Sequence, residues 1–261
     1  MTDQKPRVQP KTPIDQDELD HFGTFRASDI DITSREILKI KPENPTDYVF
    51  GKNITDHMLT IDYDSETGWG KPQIKPHGPM KVPITASSLH YGISCFEGMN
   101  IIKNAETGKL QAFQPSECMV QLLHSSNHID MPLFDPDELM ECTKQLVQMD
   151  KGWIPHIDED VQLYMRLNHV STDPTLGIKS PTKSRIYAIL SPALLRHKAL
   201  SAKCSQGVNK AWPLGHAQYT LSGNLGPLTP YVYDAKKNGY SDVMWLLDDY
   251  VQDLTILNLF F

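Results

Sequence analysis

The stretch Gln218-Tyr219-Thr220-Leu221-Ser222-Gly223-Asn224-Leu225-Gly226 contains several turn-forming residues between a polar run and a predicted helix. Thr229 is expected to cap that helix, and Pro230 fits its first position. The glycines and the asparagine before the helix favour a tight turn. Binding and catalytic residues are concentrated on such loops, so we expect the chemistry of this chain to lie here.

The composition predicts a soluble, globular protein. Its 261 residues are 39% apolar, which is enough to bury the core of one large domain or two modest ones. The net charge of -7 is spread over mixed acidic and basic residues, so a nucleic-acid partner is not expected. No apolar run is long enough to span a bilayer, and a membrane partner is not expected either.

The N-terminal sequence and the cysteines both favour a cytoplasmic protein. Residues 1–20 hold no apolar core for a signal peptide and too many acidic residues for a mitochondrial presequence, and they are predicted to be a disordered tail. The cysteines are scattered, without the close pairs of a metal clip or a redox motif, which indicates reduced thiols. They are Cys95, Cys118, Cys142 and Cys204.

Hydrophobic patterns predict a mixture of strands and helices. Residues 101–103 and 110–113 flank a glycine-containing turn and predict a hairpin. Residues 72–82 are rich in proline and glycine and predict a loop. The pattern over residues 86–99 is mixed, and periodicity alone does not choose between helix and strand there. The other predicted strands are residues 48–50, 58–63, 161–170, 185–190, 243–247 and 251–261, of which 185–190 is expected to be central.

Two long helices are predicted among these strands. One covers residues 115–129, and the other begins at Asp135, followed by a proline at the first helical position and by Glu138 as a capping-box residue. His124 and His128 lie one turn apart on the first helix, which is the spacing of paired zinc ligands. No third ligand is evident in the sequence, so no metal site is predicted.

A series of short motifs resembles the signatures of branched-chain amino acid aminotransferases, which are pyridoxal-phosphate-dependent enzymes of fold type IV. The opening stretch is similar to that family's lysine loop, and the other motifs occur in family order from about residue 22 to the last residue. They are Val49-Phe50-Gly51-Lys52, Thr55-Asp56-His57-Met58-Leu59, Ser87-Ser88-Leu89-His90-Tyr91, Cys95-Phe96-Glu97-Gly98-Met99, Leu163-Tyr164-Met165-Arg166, Asp173-Pro174, Leu176-Gly177, Lys210-Ala211-Trp212 and Val243-Met244-Trp245-Leu246. Such an ordered series is far more specific than one motif.

The resemblance implies the α+β fold class, in the α/β two-domain arrangement of fold type IV. It also implies a strand, a turn and a short helix, in that order, over residues 86–99. Residues 21–193 would form a complete small N-terminal α/β domain, and residues 194–210 a linker. Residues 211–261 would be the start of the large domain that binds pyridoxal phosphate. Because the chain stops within a predicted apolar strand, we expect this large domain to be incomplete.

Thr220 stands at the position of the family's catalytic lysine. In the family, that lysine holds pyridoxal phosphate as a Schiff base and then moves the α-proton of the substrate. A hydroxyl cannot form that bond. The nearest other amines in the sequence, Lys210 and Lys236, lie on different predicted elements.

The resemblance identifies five further positions that contact the cofactor in the family. Gln121 replaces an arginine that grips the phosphate, and Leu225 replaces a tyrosine. Asp253 replaces the glutamate that faces the pyridine nitrogen, in an alignment that needs a two-residue gap, and Ile256 replaces a phosphate-binding threonine. Asn224 is kept. These substitutions predict weakened binding of pyridoxal phosphate.

The substrate side of the family's site is better retained. Tyr91, Phe96, Tyr164 and Arg166 match positions that line the side-chain pocket and engage the substrate carboxylate in the family. Each also has a purely structural interpretation, because buried aromatic residues often belong to a core and Arg166 could be a surface charge on a strand.

Two functional hypotheses follow from the resemblance. The first is a family member with impaired catalysis, either a relic or a protein that acts by binding. Because family members form homodimers, such a chain would pair with itself or with an active relative. The alternative is an active transaminase that moves amino groups between leucine, isoleucine or valine and 2-oxoglutarate. A lysine at position 220 and a complete C-terminal domain would favour the active enzyme, and the sequence has neither.

Overall fold

The computed structural model describes residues 23–104, 106–154, 161–194, 199–255, 257 and 259. The predicted tail, residues 1–20, and the predicted site residue Ile256 lie outside this described part. The strands are β1 (Asp31–Ile32), β2 (His57–Asp64), β3 (Gly68–Trp69), β4 (Gln73–Pro76), β5 (Ser94–Lys103), β6 (Leu110–Ala112), β7 (Val161–Ser171), β8 (Lys183–Leu194), β9 (Ala202–Cys204), β10 (Asp242–Leu247) and β11 (Tyr250–Leu254).

The strands of the described residues form two sheets. In the larger sheet, neighbouring strands follow the order β1-β4-β2-β8-β7-β5-β6, and β3 pairs with β2. In the smaller sheet the order is β11-β10-β9. Strand β8 lies between β2 and β7, which confirms the central position predicted for residues 185–190. The predicted hairpin is also confirmed, because β5 and β6 pair antiparallel from Ile101 opposite Ala112 to Lys103 opposite Leu110.

The larger sheet has one face on a hydrophobic core because its central strands alternate in polarity. Leu163, Met165 and Leu167 of β7 are at most 2% exposed, whereas the residues between them are only partly buried. Successive side chains of a strand point to opposite faces, so the residues between them line the other face of the sheet. That other face is where the predicted residues Tyr164 and Arg166 lie.

Two long helices, α2 (Pro115–His128) and α3 (Pro136–Asp150), follow a short helix α1 (Ser87–Tyr91) and pack on the core. Their bounds confirm the predicted helices. Asp135 caps α3 as expected, since its carboxylate accepts hydrogen bonds from the backbone N–H groups of Asp137 at 2.8 Å and Glu138 at 3.3 Å.

The capping box predicted for Glu138 is wrong. Its carboxylate accepts a hydrogen bond from the backbone N–H of Ala27 at 2.7 Å and one from the Arg26 guanidinium at 3.0 Å. The backbone N–H of Asp135, which a capping box would satisfy, donates to Thr24 Oγ1 instead. Glu138 therefore holds the N-terminal segment against α3, a long-range contact that local spacing does not reveal.

Three other local predictions are wrong. In residues 86–99 the order is reversed, because helix α1 comes first and Gly92, with φ of 64°, turns the chain into β5. Residues 48–50 are not a strand but lead into a turn, across which the N–H of Val49 donates to Asn53 Oδ1 at 2.7 Å. The predicted loop 72–82 contains β4, which forms a strand because it pairs with β2 and β1.

The smaller sheet packs with helix α4 (Thr229–Lys237) around a separate hydrophobic cluster. Leu228, Ala235, Val243 and Trp245 form its buried centre. Strand β10 confirms the strand predicted at 243–247, whereas β11 begins at Tyr250 and ends at Leu254. In the rest of the predicted strand 251–261, residues 255, 257 and 259 are not in a strand, and residues 256, 258, 260 and 261 lie outside the described residues.

Thr229 is not the cap of α4, as had been expected, but its first residue. Leu228 occupies the cap position and makes no side-chain hydrogen bond there. The helix ends before Gly239, which has φ of 85°, and the N–H of Tyr240 donates back to the Ala235 carbonyl at 3.0 Å.

The range predicted as a linker, residues 194–210, contains strand β9, which pairs parallel with β10. Residues 195–198 of that range are not among the described residues, and the proposed domain boundaries stay predictions. None of the helices in the described part of the chain is long and apolar enough to cross a membrane.

Asp173 organises the connection between β7 and β8. Its carboxylate accepts hydrogen bonds from the backbone N–H and the hydroxyl of Thr182 at 2.9 and 2.7 Å, and from the backbone N–H of Thr175 at 3.1 Å. Burial alone would raise the pKa of Asp173, but the hydrogen bonds from Thr175 and Thr182 and the charge of Lys179 hold that pKa below its ordinary value. This carboxylate is therefore ionised in the folded protein at neutral pH.

Candidate functional site

The loop that contains Thr220 pairs with the first residues of strand β5. The backbone N–H of Phe96 donates to the Thr220 carbonyl at 3.0 Å, and Cys95 forms an antiparallel bridge with Leu221. On the other side, the N–H of Thr220 donates to Ser125 Oγ on α2 at 3.2 Å. Backbone contacts with a strand and a helix thus fix the position of Thr220.

The Thr220 side chain is bonded to a partly buried carboxylate. Its hydroxyl donates a hydrogen bond to Glu97 Oε1 at 2.7 Å. Burial raises the pKa of Glu97, and the hydrogen bond from Thr220 and the charge of Arg166 oppose that rise. The two side chains form one polar unit at the edge of the sheet.

This unit borders a cavity of about 650 Å³ that lies between the two sheets. Phe50, Phe96 and Tyr164 give the cavity an aromatic wall, in which the rings of Phe50 and Tyr164 meet edge to face at 5.0 Å. The Arg166 guanidinium carbon lies 4.1 Å from the centroid of the Phe96 ring and 5.4 Å from that of Tyr164. These distances suit cation–π contacts, which hold the cation against the wall.

Gly98 makes room for this wall. A β-carbon built at Gly98 would overlap the hydroxyl and the ring of Tyr164. The Tyr164 ring therefore lies directly across the backbone of β5. Burial raises the pKa of the Tyr164 phenol, and the charge of Arg166 opposes that effect.

An ion pair, Lys210 and Asp253, lines the same cavity. The Lys210 ammonium donates to Asp253 Oδ2, to the Leu254 carbonyl at 2.9 Å and to the Thr255 carbonyl at 3.5 Å. An ammonium has three donors, so these three acceptors use its full capacity. The pair ties the segment before the loop to strand β11.

Asn224 braces the loop from within. Its side-chain amide donates to the carbonyl of His216 at 3.2 Å and to that of Tyr219 at 3.4 Å. The Tyr219 ring in turn stacks on His128 with centroids 3.8 Å apart and planes at 12°. The loop thus rests on the last turn of α2, next to the residues that line the cavity.

Most of the site residues predicted from the sequence surround this one cavity. Those that line it are Phe96, Tyr164, Arg166, Thr220, Asn224, Leu225 and Asp253. Gln121 and Tyr91 are not among its lining residues: the Gln121 amide donates to the Gln218 carbonyl at 2.9 Å, and Tyr91 is exposed at the end of α1. The roles of all these residues remain predictions.

Among the lining residues that were not predicted as site residues are Phe50, Glu97 and Lys210. Glu97 and Phe50 belong to motifs that carry the resemblance, so the motifs were the available signal. Lys210 was expected on a different element from Thr220, yet both side chains line the same cavity. Its hydrogen bonds to Asp253 and Leu254 of β11 and to the following Thr255 hold Lys210 at the cavity.

The described residues contain no group of three or more histidine, cysteine, aspartate or glutamate side chains arranged to hold a metal ion. His128, one of the two histidines with zinc-like spacing, lies with its Nε2 atom 2.9 Å from Nδ1 of His216.

Comparison with known proteins places this geometry in a family. No family model matches the chain. The cytosolic branched-chain-amino-acid aminotransferase of Mus musculus is 35% identical over 244 residues, which are 91% of this chain and 62% of the relative. The enzyme of that name from Dictyostelium discoideum is 33% identical over 224 residues, covering 84% of this chain and 59% of the relative. The chain thus spans about three fifths of the length of these relatives.

Solved structures show the same fold. The branched-chain amino acid aminotransferase from Escherichia coli has a TM-score of 0.58 at 19% identity and covers 77% of this chain and 61% of that one. The enzyme from Thermobaculum terrenum, solved in its PLP-form, has a TM-score of 0.61 at 17% identity, with 77% and 62% covered. The α+β fold is that of fold type IV, and with the sequence identities to the curated relatives, the chain is a relative of the branched-chain-amino-acid aminotransferases over about three fifths of their length.

Proposed function

We propose that this chain is a branched-chain aminotransferase relative that is impaired in amino transfer and acts by binding. The observation that carries the proposal is Thr220, which stands at the family's lysine position with its hydroxyl donated to Glu97 at 2.7 Å. Relatives of this chain are named as aminotransferases, and neighbouring structures were solved with pyridoxamine 5'-phosphate or a phosphopyridoxyl-glutamate compound. Pyridoxal phosphate supplies an electron sink in such chemistry, and an enzyme amine must hold it and move a proton.

The residues at the predicted cofactor positions do not fit a covalently held pyridoxal phosphate. A threonine hydroxyl cannot form an imine with the aldehyde of pyridoxal phosphate. The hydroxyl of Thr220 also already donates a hydrogen bond to Glu97. Gln121 brings no positive charge for a phosphate, and its amide is bonded to the Gln218 carbonyl. The carboxylate of Asp253, predicted to face the pyridine nitrogen, is paired with Lys210.

Lys210 is the observation that favours the alternative, an active transaminase with a relocated amine. Its ammonium lines the same cavity as Thr220. A nucleophilic amine needs a free lone pair, whereas the Lys210 ammonium donates to three acceptors at once, one of them the Asp253 carboxylate. We therefore propose a structural role for Lys210.

The binding partner that we propose is a small carboxylate with an apolar side chain, such as a branched-chain amino acid or 2-oxo acid. Arg166 would engage the carboxylate, and the rings of Phe96 and Tyr164 would pack on the side chain. Isothermal titration with leucine and with 2-oxoisovalerate tests this assignment. Saturable binding that Arg166→Gln weakens would support it, and flat titrations of the wild type would remove it.

We also propose that the protein is cytoplasmic and associates with a second chain, itself or an active relative. The segment before β2 exposes Ile37, Leu38 and Ile40 at 82, 60 and 97%, an apolar surface of the kind that interfaces cover. Light scattering after size exclusion, with the chain alone and mixed with an active relative, tests the association. A monomeric mass in both runs would contradict it.

The decisive experiment for impaired catalysis is chemical trapping. The purified chain is incubated with pyridoxal phosphate and reduced with borohydride, and any pyridoxyl adduct is located by peptide mass spectrometry. We expect no stoichiometric adduct on the wild type and a specific adduct at position 220 in Thr220→Lys. The variant Thr46→Lys, which adds a lysine at an exposed position, controls for non-specific reaction.

A stoichiometric adduct at Lys210 of the wild type would contradict the proposal and favour the active enzyme. Lys210→Arg keeps the positive charge beside Asp253 and should abolish such an adduct. Leucine transamination would then be assayed in the wild type and in Lys210→Arg.

A further inference from the structure

A second cavity lies on the core face of the larger sheet, away from the cavity that Thr220 and Glu97 border. Its volume is about 190 Å³. Met99 and Ile101 of β5 and Met165 of β7 form one wall, and Met140 and Val147 of α3 form the other. All five side chains are at most 8% exposed. Tyr164 and Arg166, on either side of Met165 in β7, point to the opposite face and line the cavity beside Thr220. The sheet therefore separates the two cavities.

The wall of this second cavity gives water few hydrogen-bonding partners. Thr143, the polar residue deepest in it, already donates its hydroxyl to the Met140 carbonyl at 2.8 Å. Of the buried side-chain oxygen and nitrogen atoms without a partner in the described structure, none belongs to this wall. Gln111, Lys144 and Gln148 are polar but stand exposed at the mouth. Water is held weakly against such a wall, and an apolar molecule that displaces it gains affinity.

The size and lining of the cavity define what would fill it. An engineered apolar cavity of about 150 Å³ in another protein binds benzene, so a volume of this order holds one aromatic ring. Three methionines line the space, and their flexible, polarizable side chains adapt to ligands of different outline and make favourable contacts with aromatic rings. We propose that this cavity is a binding site for an uncharged apolar molecule about the size of one aromatic ring.

Methionine methyl groups provide a direct test with the full chain. The protein is labelled with ¹³C at its methionine methyl groups and titrated with benzene while methyl resonances are recorded. We expect saturable shifts at Met99, Met140 and Met165, and none at Met58 or Met244, which do not line the cavity. Shifts that do not saturate, or that spread equally over all five residues, would overturn the proposal.

Filling the cavity supplies matched variants. Val147→Phe fills it from α3, and Ala112→Leu fills it from the short strand β6, where a partly exposed side chain makes the change easier to accept. Both should abolish saturable benzene binding. Val251→Phe makes the same change as the first variant on exposed β11 and should bind benzene like the wild type. A folded filling variant that still binds benzene would sink the proposal, and with two such variants one failure to fold leaves the test intact.

Discussion

Replacing Thr220 by valine removes one hydroxyl and keeps the shape of the side chain. In the wild type this hydroxyl donates to Glu97 Oε1 at 2.7 Å. A hydrogen bond to a charged group contributes about 1.5–3 kcal/mol, and a partly buried carboxylate that loses its donor also bears its desolvation cost. We expect Thr220→Val to lower the free energy of unfolding by about 1.5–3 kcal/mol at pH 8.

The cost should depend on pH through Glu97. Burial raises the folded-state pKa of Glu97 above its unfolded value, so this carboxyl contributes stability that is fully present below the unfolded pKa and is lost as pH rises through the folded pKa. Without the Thr220 hydroxyl the folded pKa rises further, because the ionised form loses its donor. The penalty of Thr220→Val is therefore largest where Glu97 is ionised, and it shrinks as pH falls toward about 4.

Urea unfolding at pH 8 and pH 5 measures this penalty. With a slope of about 2–3 kcal/mol per M, the unfolding midpoint of Thr220→Val should fall by about 0.5–1.5 M at pH 8 and by less at pH 5. Glu97→Gln and the double variant complete a cycle, in which the penalty of Thr220→Val should lose its pH dependence once Glu97 is neutral. An equal penalty at both pH values in the wild-type background would refute this account of the site.

Two further predictions concern the wall of the cavity and the loop after β7. Gly98→Ala should lower the free energy of unfolding by about 1–3 kcal/mol, because the added methyl group overlaps Tyr164. The cost, measured by urea unfolding, should be smaller in a Tyr164→Ala background, and equal costs in both backgrounds would contradict the overlap. Asp173→Asn should cost about 1–3 kcal/mol at pH 7 by weakening the hydrogen bonds from Thr175 and Thr182. Because the folded pKa of Asp173 is lowered, its contribution to stability is present above the unfolded pKa and is lost as pH falls through the folded pKa. In thermal melts, the difference in stability between the wild type and Asp173→Asn should therefore close below about pH 4, and a difference that widens there would contradict this account.

Long periodic segments were predictable from the sequence because their patterns arise from burial on one face. Helices α2 and α3 and strands β7 and β8 were placed correctly for this reason. Short segments were not, because their conformation depends on a distant partner. Strand β4 exists by pairing with β2, and the turn that residues 48–50 lead into is held by Asn53.

The candidate site shows the same division. The motifs of the chain pointed to Phe96, Tyr164, Arg166 and Thr220, which the fold brings to one cavity. Lys210 also belongs to one of the motifs, but the sequence did not place it beside Thr220, since its place depends on contacts 43 to 45 residues away with β11 and the residue after it.

By itself, the sequence determined the similarity to branched-chain-amino-acid aminotransferases, the fold class and the identity of the residue at position 220, because all three are properties of ordered motifs and of residue types. Tertiary structure alone decided what Thr220 and Lys210 bond to, since both partners are far away in the chain. It joined the Thr220 hydroxyl to Glu97, 123 positions away, and gave the Lys210 ammonium three acceptors. Hydrogen bonding and burial depend on which groups meet in space, and that meeting follows from the packing of the two sheets.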